Sequence, residues 1–317
     1  MNRGALTGFV SRTPGAPEKH LSAWRLAGRM ATVEVLLLLA VAAFLAGLAG
    51  SYLGIGGGVF LIPFMTLALG MPIKVAIAVS LIGVIATSSG AASVYVRDHL
   101  TNLRLAMFLE VGTTFGAIAG AVVGILVPNV YLFLTFGVVV LYAAASMVRV
   151  AETAKDRAYR GGEGERPLVK RLNLSSVYFD QEDQGVYRYR VDRPGAGFGA
   201  SAAAGVFSGL LGVGGGFIKV PAMNVLMHVP VKAAVATSNF MIGVTAAASA
   251  FIYYSQGLVD PSLAAMVIIG VFTGTNLGTR LLVRSKAADV RFLFAIFLTG
   301  LGIAMAARAL GLFGGVL

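Results

Sequence analysis

Among 317 residues there is no cysteine, one tryptophan and only three histidines. The first absence excludes a disulfide framework, a thiol nucleophile, Cys-ligated zinc and iron–sulfur clusters. The histidines, His20, His99 and His228, are scattered too widely along the chain for a histidine-based metal centre. Charge is scarce as well: Asp, Glu, Lys and Arg make up 12% of the residues, against about 25% in a soluble domain. The few charges lean one way, 25 Lys and Arg against 14 Asp and Glu, for a net charge of +11. What fills the chain is apolar: 57% hydrophobic residues and a mean hydropathy of +0.83. This composition describes an all-α polytopic membrane protein whose first partner is the lipid bilayer. The positive balance admits two readings, retention of loops beside anionic lipid and attraction of an anionic solute. Nucleic-acid binding is excluded, because the basic residues are spread among loops and form no single soluble face.

Eight apolar stretches run approximately over 33–70, 73–96, 105–127, 130–150, 196–228, 231–254, 261–283 and 290–313. Six have the length of single spans. The stretches 33–70 and 196–228 are too long for a bilayer core of about 30 Å, so each has to fold back or break. Residues 1–32 form a basic tail without the apolar core of a cleavable signal, expected to be disordered or to lie on the membrane surface. Residues 151–195 are a polar linker with nine Lys/Arg and eight Asp/Glu. Alternation over 173–179 and 186–191 predicts a small β-hairpin within it, and its basic flanks place it on the cytoplasmic side. The domains are therefore the tail 1–32, a first membrane unit 33–150, the linker 151–195 and a second membrane unit 196–317.

The two membrane units say the same thing. Gly54-Ile55-Gly56-Gly57-Gly58 with Pro63 is answered by Gly212-Val213-Gly214-Gly215-Gly216 with Pro221. Pairing 53–120 with 211–278, without a gap, makes 21 of 68 positions identical. The expected fold class is two homologous repeats of four to five helical segments, each containing a glycine-broken, discontinuous or re-entrant helix. Four crossings per repeat make the repeats parallel, and five make them inverted. Charge counting leaves both open. The ladders Gly112/Gly116/Gly120 and Gly270/Gly274/Gly278 put small residues on one helix face, suited to internal packing or to a homodimer contact.

A backbone that leaves its helix inside a membrane is tolerated only where protein or a polar cavity satisfies it. Each glycine run therefore marks a candidate substrate site: Gly54, Gly56, Gly57 and Gly58 in the first unit, Gly212, Gly214, Gly215 and Gly216 in the second. The eleven residues after each run, 59–69 and 217–227, make about 16 Å of helix, half a membrane, with a positive dipole end turned to an anion. The alternative is a tight turn packed against its neighbours. Ser80, Thr87, Ser238, Asn239 and Thr245 follow in the next spans, as oxyanion donors or as helix-to-backbone bonds. Lys219 either binds the anion or snorkels to water. Glu110 either carries a coupled proton or sits at a span end near Arg104. Lys74 and Lys232 are expected to be structural, at the negative ends of the half-helices. Neither run is a phosphate-binding loop, since Gly58 and Gly216 are followed by Val59-Phe60 and Phe217-Ile218 in place of Lys-Ser/Thr. Nothing pairs a nucleophile with a base, so no catalytic residue, cofactor or metal is assigned.

On GIGGGVFLIPFM, GVGGGFIKVPAM and the Ala236-Thr237-Ser238-Asn239 run, within two units split by a polar loop, the chain resembles the TauE/SafE sulfite exporter family. The likeness covers about residues 34–150 and 196–313. It implies a secondary transporter in the bacterial cytoplasmic membrane that moves a small anion, sulfite, an organosulfonate or a related organic acid, by alternating access between the two glycine breaks, with coupling to H+ or Na+. An anion channel and a carrier of a non-sulfur organic acid are the alternatives.

Overall fold

The computed structural model describes residues 33–149, 167–180, 185–284 and 287–311. The basic tail 1–32 and residues 150–166, 181–184, 285–286 and 312–317 lie outside them. The first unit comprises α1 (Val33–Leu53), α2 (Gly58–Pro63) continued by a π-turn (Phe64–Ala68), α3 (Ile73–Arg97), α4 (Leu103–Leu126) and α5 (Asn129–Arg149). Next come α6 (Pro167–Leu172) and an antiparallel pair, β1 (Ser176–Asp180) and β2 (Gly185–Tyr189). The second unit comprises α7 (Pro194–Leu211), α8 (Gly216–Pro221) with a π-turn (Ala222–Leu226), α9 (Val231–Ser255), α10 (Pro261–Arg284) and α11 (Ala287–Ala309). Among the described residues, six helices are long and apolar enough to cross a membrane: Glu34–Leu53, Ile73–Arg97, Leu103–Leu126, Asn129–Ser146, Val231–Ser255 and Pro261–Leu281.

Prolines mark where helices start. Pro72, Pro128 and Pro230 directly precede α3, α5 and α9, and Pro194 and Pro261 open α7 and α10. At these positions the missing N–H costs no intrahelical bond and the fixed φ is already helical. Asn102 caps α4 by accepting from Leu105 N at 3.0 Å, and Asp260 caps α10 by accepting from Ser262 N and Leu263 N. Pro63 and Pro221 instead lie inside short helices, and a π-turn follows each. The missing donor interrupts the i→i−4 ladder there. The expected uniform half-helix is thus α-helical for six residues and π for five.

Helix directions follow from glycine contacts. A Cβ at Gly116 or Gly120 of α4 would stand 2.2 or 2.0 Å from the carbonyl oxygen of Ala202 or Val206, so α4 runs parallel to α7. Likewise Gly270, Gly274 and Gly278 of α10 face the carbonyls of Ala40, Phe44 and Leu48, so α10 runs parallel to α1. Both ladders are filled within one chain. α9 starts beside the start of α4, where Asn102 N donates to Thr237 Oγ1, and its Tyr253 hydroxyl lies against Gly124 near the end of α4. α3 returns antiparallel to α4, with Lys74 donating to Ile125 O at 2.5 Å. Lys74 therefore sits on the carbonyl end of a neighbouring helix, where a cation suits the dipole, and not on the half-helix that precedes it. It follows that α3 and α9 run antiparallel to each other. So do α5 and α11, where Gly137 meets Ala306 and Arg308 lies over the Phe133 ring.

The linker's hairpin is anchored on the face where α3 ends and α4 and α9 begin. The Asn102 side-chain amide donates to Leu174 O at 2.8 Å and to the Tyr189 hydroxyl at 3.1 Å. Burial pushes the Tyr189 hydroxyl up to about 12, so it stays protonated. After β2, Asp192 N donates to Met227 O, and the Asp192 carboxylate meets His228 Nδ1 at 3.1 Å.

A side chain at Gly274, whose Cβ would lie 1.9 Å from Phe44 O, cannot be absorbed without parting α1 from α10. Gly274→Val should cost at least about 1–3 kcal/mol in thermal unfolding of the detergent-purified protein. Gly300→Ala, with nothing within 4 Å of the added carbon and a better helix former in α11, should not lower the transition and should raise it by up to about 1 kcal/mol.

Candidate functional site

Each interruption is made of three glycines in left-handed backbone: φ is 72°, 87° and 71° at Gly54, Gly56 and Gly57, and 70°, 81° and 73° at Gly212, Gly214 and Gly215. L-residues with a Cβ disfavour that region, which is why the runs are glycine. The turn folds the chain back beside the helix it leaves: Ile55 N and Gly56 N donate to Gly50 O, and a Cβ at Gly57 would stand 2.9 Å from Ala46 O.

The two turns then meet. A Cβ at Gly216 would lie 1.9 Å from Gly54 O, and one at Gly58 would lie 2.3 Å from Gly212 O. Val84 and Ile242 close over Gly56 and Gly214. Two hydroxyls stitch the contact crosswise: Ser238 Oγ donates to Gly54 O at 2.9 Å, and Ser80 Oγ donates to Gly212 O at 3.0 Å. These serines satisfy carbonyls that the turns release. In this conformation turn packs on turn, with no space left for an anion between them.

The other expected residues divide by unit. Thr87 donates back to Gly83 O at 2.9 Å, an ordinary i−4 bond. Thr245, its counterpart, joins two charges: Lys219 Nζ donates to Thr245 Oγ1 at 3.1 Å, and Thr245 Oγ1 lies 2.8 Å from Glu110 Oε1. Lys219 is 0% exposed and Glu110 8%. Lys219 does not snorkel, and Glu110, for all its nearness to Arg104 in sequence, is not on the surface. Asn239 donates to Ser51 O at 3.0 Å and Val235 O at 3.2 Å, and its backbone carbonyl accepts from Ser88 Oγ. Glu110 Oε2, Asn239 Oδ1 and Ser208 Oγ are buried without a hydrogen-bond partner. Buried polar atoms are rarely left so.

Sequence reasoning missed Thr114, which donates to Glu110 Oε1 at 3.1 Å, and Ser208, which packs beside Gly215. Spacing offered a signal for the first, since Glu110 and Thr114 are four residues apart on one helix. Ser208 offered none. A small cavity opens on the hairpin's side of the turns. Tyr52, Ile55, Ser146, Gly216, Phe217 and Val220 are among its walls.

Comparison with known proteins places this arrangement. The family model described as Sulfite exporter TauE/SafE matches residues 39–305, and the chain belongs to that family. It is 25% identical over 276 residues to the "Probable membrane transporter protein YunE" of Bacillus subtilis, covering 84% of this chain and 95% of that protein. It is 26% identical over 265 residues to the "Probable membrane transporter protein YdhB" of the same organism, covering 83% and 96%. It is 23% identical over 288 residues to the "Probable membrane transporter protein MJ0441" of Methanocaldococcus jannaschii, covering 86% and 95%. No solved structure matches it. The chain is a multi-pass membrane transporter, and the names of its family and relatives indicate transport rather than catalysis.

Removing either crosswise hydroxyl strands a buried carbonyl, at about 1–3 kcal/mol. Ser238→Ala and Ser80→Ala should each lower the thermal transition of the purified protein by a comparable amount. Thr87→Val, which loses only an i−4 bond, should move it much less.

Proposed function

We propose, with family membership as the premise, that the chain is a secondary transporter of a small oxyanion, sulfite or an organosulfonate, working by alternating access about the two apposed glycine turns in a bacterial inner membrane. The matching bounds of α2–α4 and α8–α10, 158 residues apart, support reading the units as one duplicated element built around a broken helix. The antiparallel courses of α3 against α9 and α5 against α11 support an inverted duplication, a frequent transporter design. Substrate recognition falls to the residues around the turns, Gly54, Gly56–Gly58, Gly212, Gly214–Gly216, Ser80, Thr87, Ser238, Asn239, Thr245 and Lys219. Lys219, the buried cation three residues past the second turn, supports an anionic substrate.

The observation that carries the reading is a difference between the two ends. The cavity on the hairpin's side has Phe217, Val220, Val231 and Val235 in its walls. Their counterparts toward the opposite end, Val59, Ile62, Ile73 and Ile77, are packed slightly more tightly, at 0%, 0%, 1% and 0% exposure against 2%, 7% and 3% for Phe217, Val220 and Val235. In an inverted duplication the two ends interchange when the two units exchange conformations. The cavity supports access from the hairpin's side in the present state. Arg97, Arg104, Lys170 and Arg171 lie on the hairpin's face, which makes that side cytoplasmic by the positive-inside rule.

Because the chain has no cysteine, single introduced thiols report access directly. Val231→Cys should react with a membrane-impermeant reagent from the cytoplasmic side. Ile73→Cys should be protected at rest and react from the opposite side while sulfite is being moved. Gly215→Leu should abolish sulfite flux in proteoliposomes with the protein still in the membrane; undiminished flux would sink the proposal. Flux that never accumulates sulfite against its gradient would make the protein a channel.

A further inference from the structure

Lys219 needs a counter-charge, since an isolated ammonium in a buried site is too costly to keep. Among the described residues of the helices packed around it, Glu110 is the one that answers. α7 has no charged side chain, and α8 has none besides Lys219. Arg104 and Lys232 sit in the first turns of α4 and α9. On α3, Lys74 is engaged with Ile125 O at the far end, and the Arg97 side chain is 75% exposed. On α5 the tyrosines Tyr131 and Tyr142 are 61% and 53% exposed, and Tyr253 of α9 donates to Leu210 O.

The Glu110–Lys219 connection is indirect, through the hydroxyl of Thr245. Two hydroxyls, from Thr114 and Thr245, hold Glu110 Oε1, while Oε2 is buried without a partner. A proton can settle on Oε2 without displacing an existing hydrogen bond. The same short helix that carries Lys219 lines the cavity through Gly216, Phe217 and Val220.

We infer that Glu110 is the resident counter-anion of Lys219, which the transported anion replaces, so that each anion enters its site together with one proton. The inference rests on the transport reading above. The exchange balances: ionised Glu110 paired with Lys219, plus a proton and a monovalent anion, becomes protonated Glu110 and an anion paired with Lys219. The site is neutral before and after, as a low-dielectric interior requires. The matching positions are Leu61 in the first unit and Ile268 in the second, so there is one such pair per chain and one proton per anion.

The test uses the purified full-length chain with ethanesulfonate, sulfate and sulfite. The first two keep a constant charge between pH 6 and pH 8, so any pH dependence of their binding belongs to the protein. Ethanesulfonate should bind more tightly by up to tenfold per unit as pH falls, the limit for one linked proton, and its addition to a weakly buffered sample should take up protons. Glu110→Gln should bind ethanesulfonate equally at both pH values, without proton uptake, and Lys219→Gln should lose binding. Wild-type binding of ethanesulfonate that is the same at pH 6 and pH 8, without proton uptake, overturns the coupling and leaves the transport reading standing. A pH slope retained in Glu110→Gln also overturns it. Failure of all three anions to bind wild type overturns the coupling and the anion reading together.

Discussion

The structure depends on one contact, backbone against backbone, between residues 54–58 and 212–216. Gly216 and Gly54, and Gly58 and Gly212, approach so closely that neither unit could complete its turn without the other. The carbonyls freed by the left-handed glycines accept hydrogen bonds from hydroxyls of the opposite unit, Ser238 for Gly54 and Ser80 for Gly212. In a membrane interior, where an orphaned carbonyl costs several kcal/mol, this exchange is what lets the helices stop where they do. The placement of α2 and α8, of Lys219 and of the cavity follows from it.

Much of this was legible in the chain. Apolar length identifies the spans, and the 158-residue offset aligns the units because identical residues sit where the geometry is strictest: Gly54/Gly212, Pro63/Pro221 and Ser80/Ser238. Direction was not legible. Four or five crossings per unit differ only in whether the glycine turn carries the chain onward or back, and that is set by φ at three residues and by contacts with Ala46 and Gly50. The use of the polar residues was hidden for the same reason. Ser80 and Thr87 look alike in sequence, yet one bonds across the units and the other to its own helix.

Asymmetry divides the site more sharply than composition implies. Residues 158 apart share backbone and fold, but Lys219 and Asn239 stand where the first unit has Leu61 and Leu81. Glu110 is supplied by the other unit, from α4, so the charged group is assembled between the two units and not within one of them. Its remoteness from Lys219 in sequence, and its nearness to Arg104, concealed the pairing. Only the parallel packing of α4 beside α7 and α9 brings it into range of Thr245.

The glycine ladders have a mechanical consequence. They join α4 to α7 and α10 to α1 at backbone distance, and each seam crosses from one unit into the other. A joint that tight cannot slide, because the carbonyls of one helix sit in the notches of its neighbour. The bodies held together by these seams are therefore not the two consecutive stretches of chain. Each is composite, holding the first helix of the other stretch, so that the order of the chain and the order of its packing divide the molecule in different places.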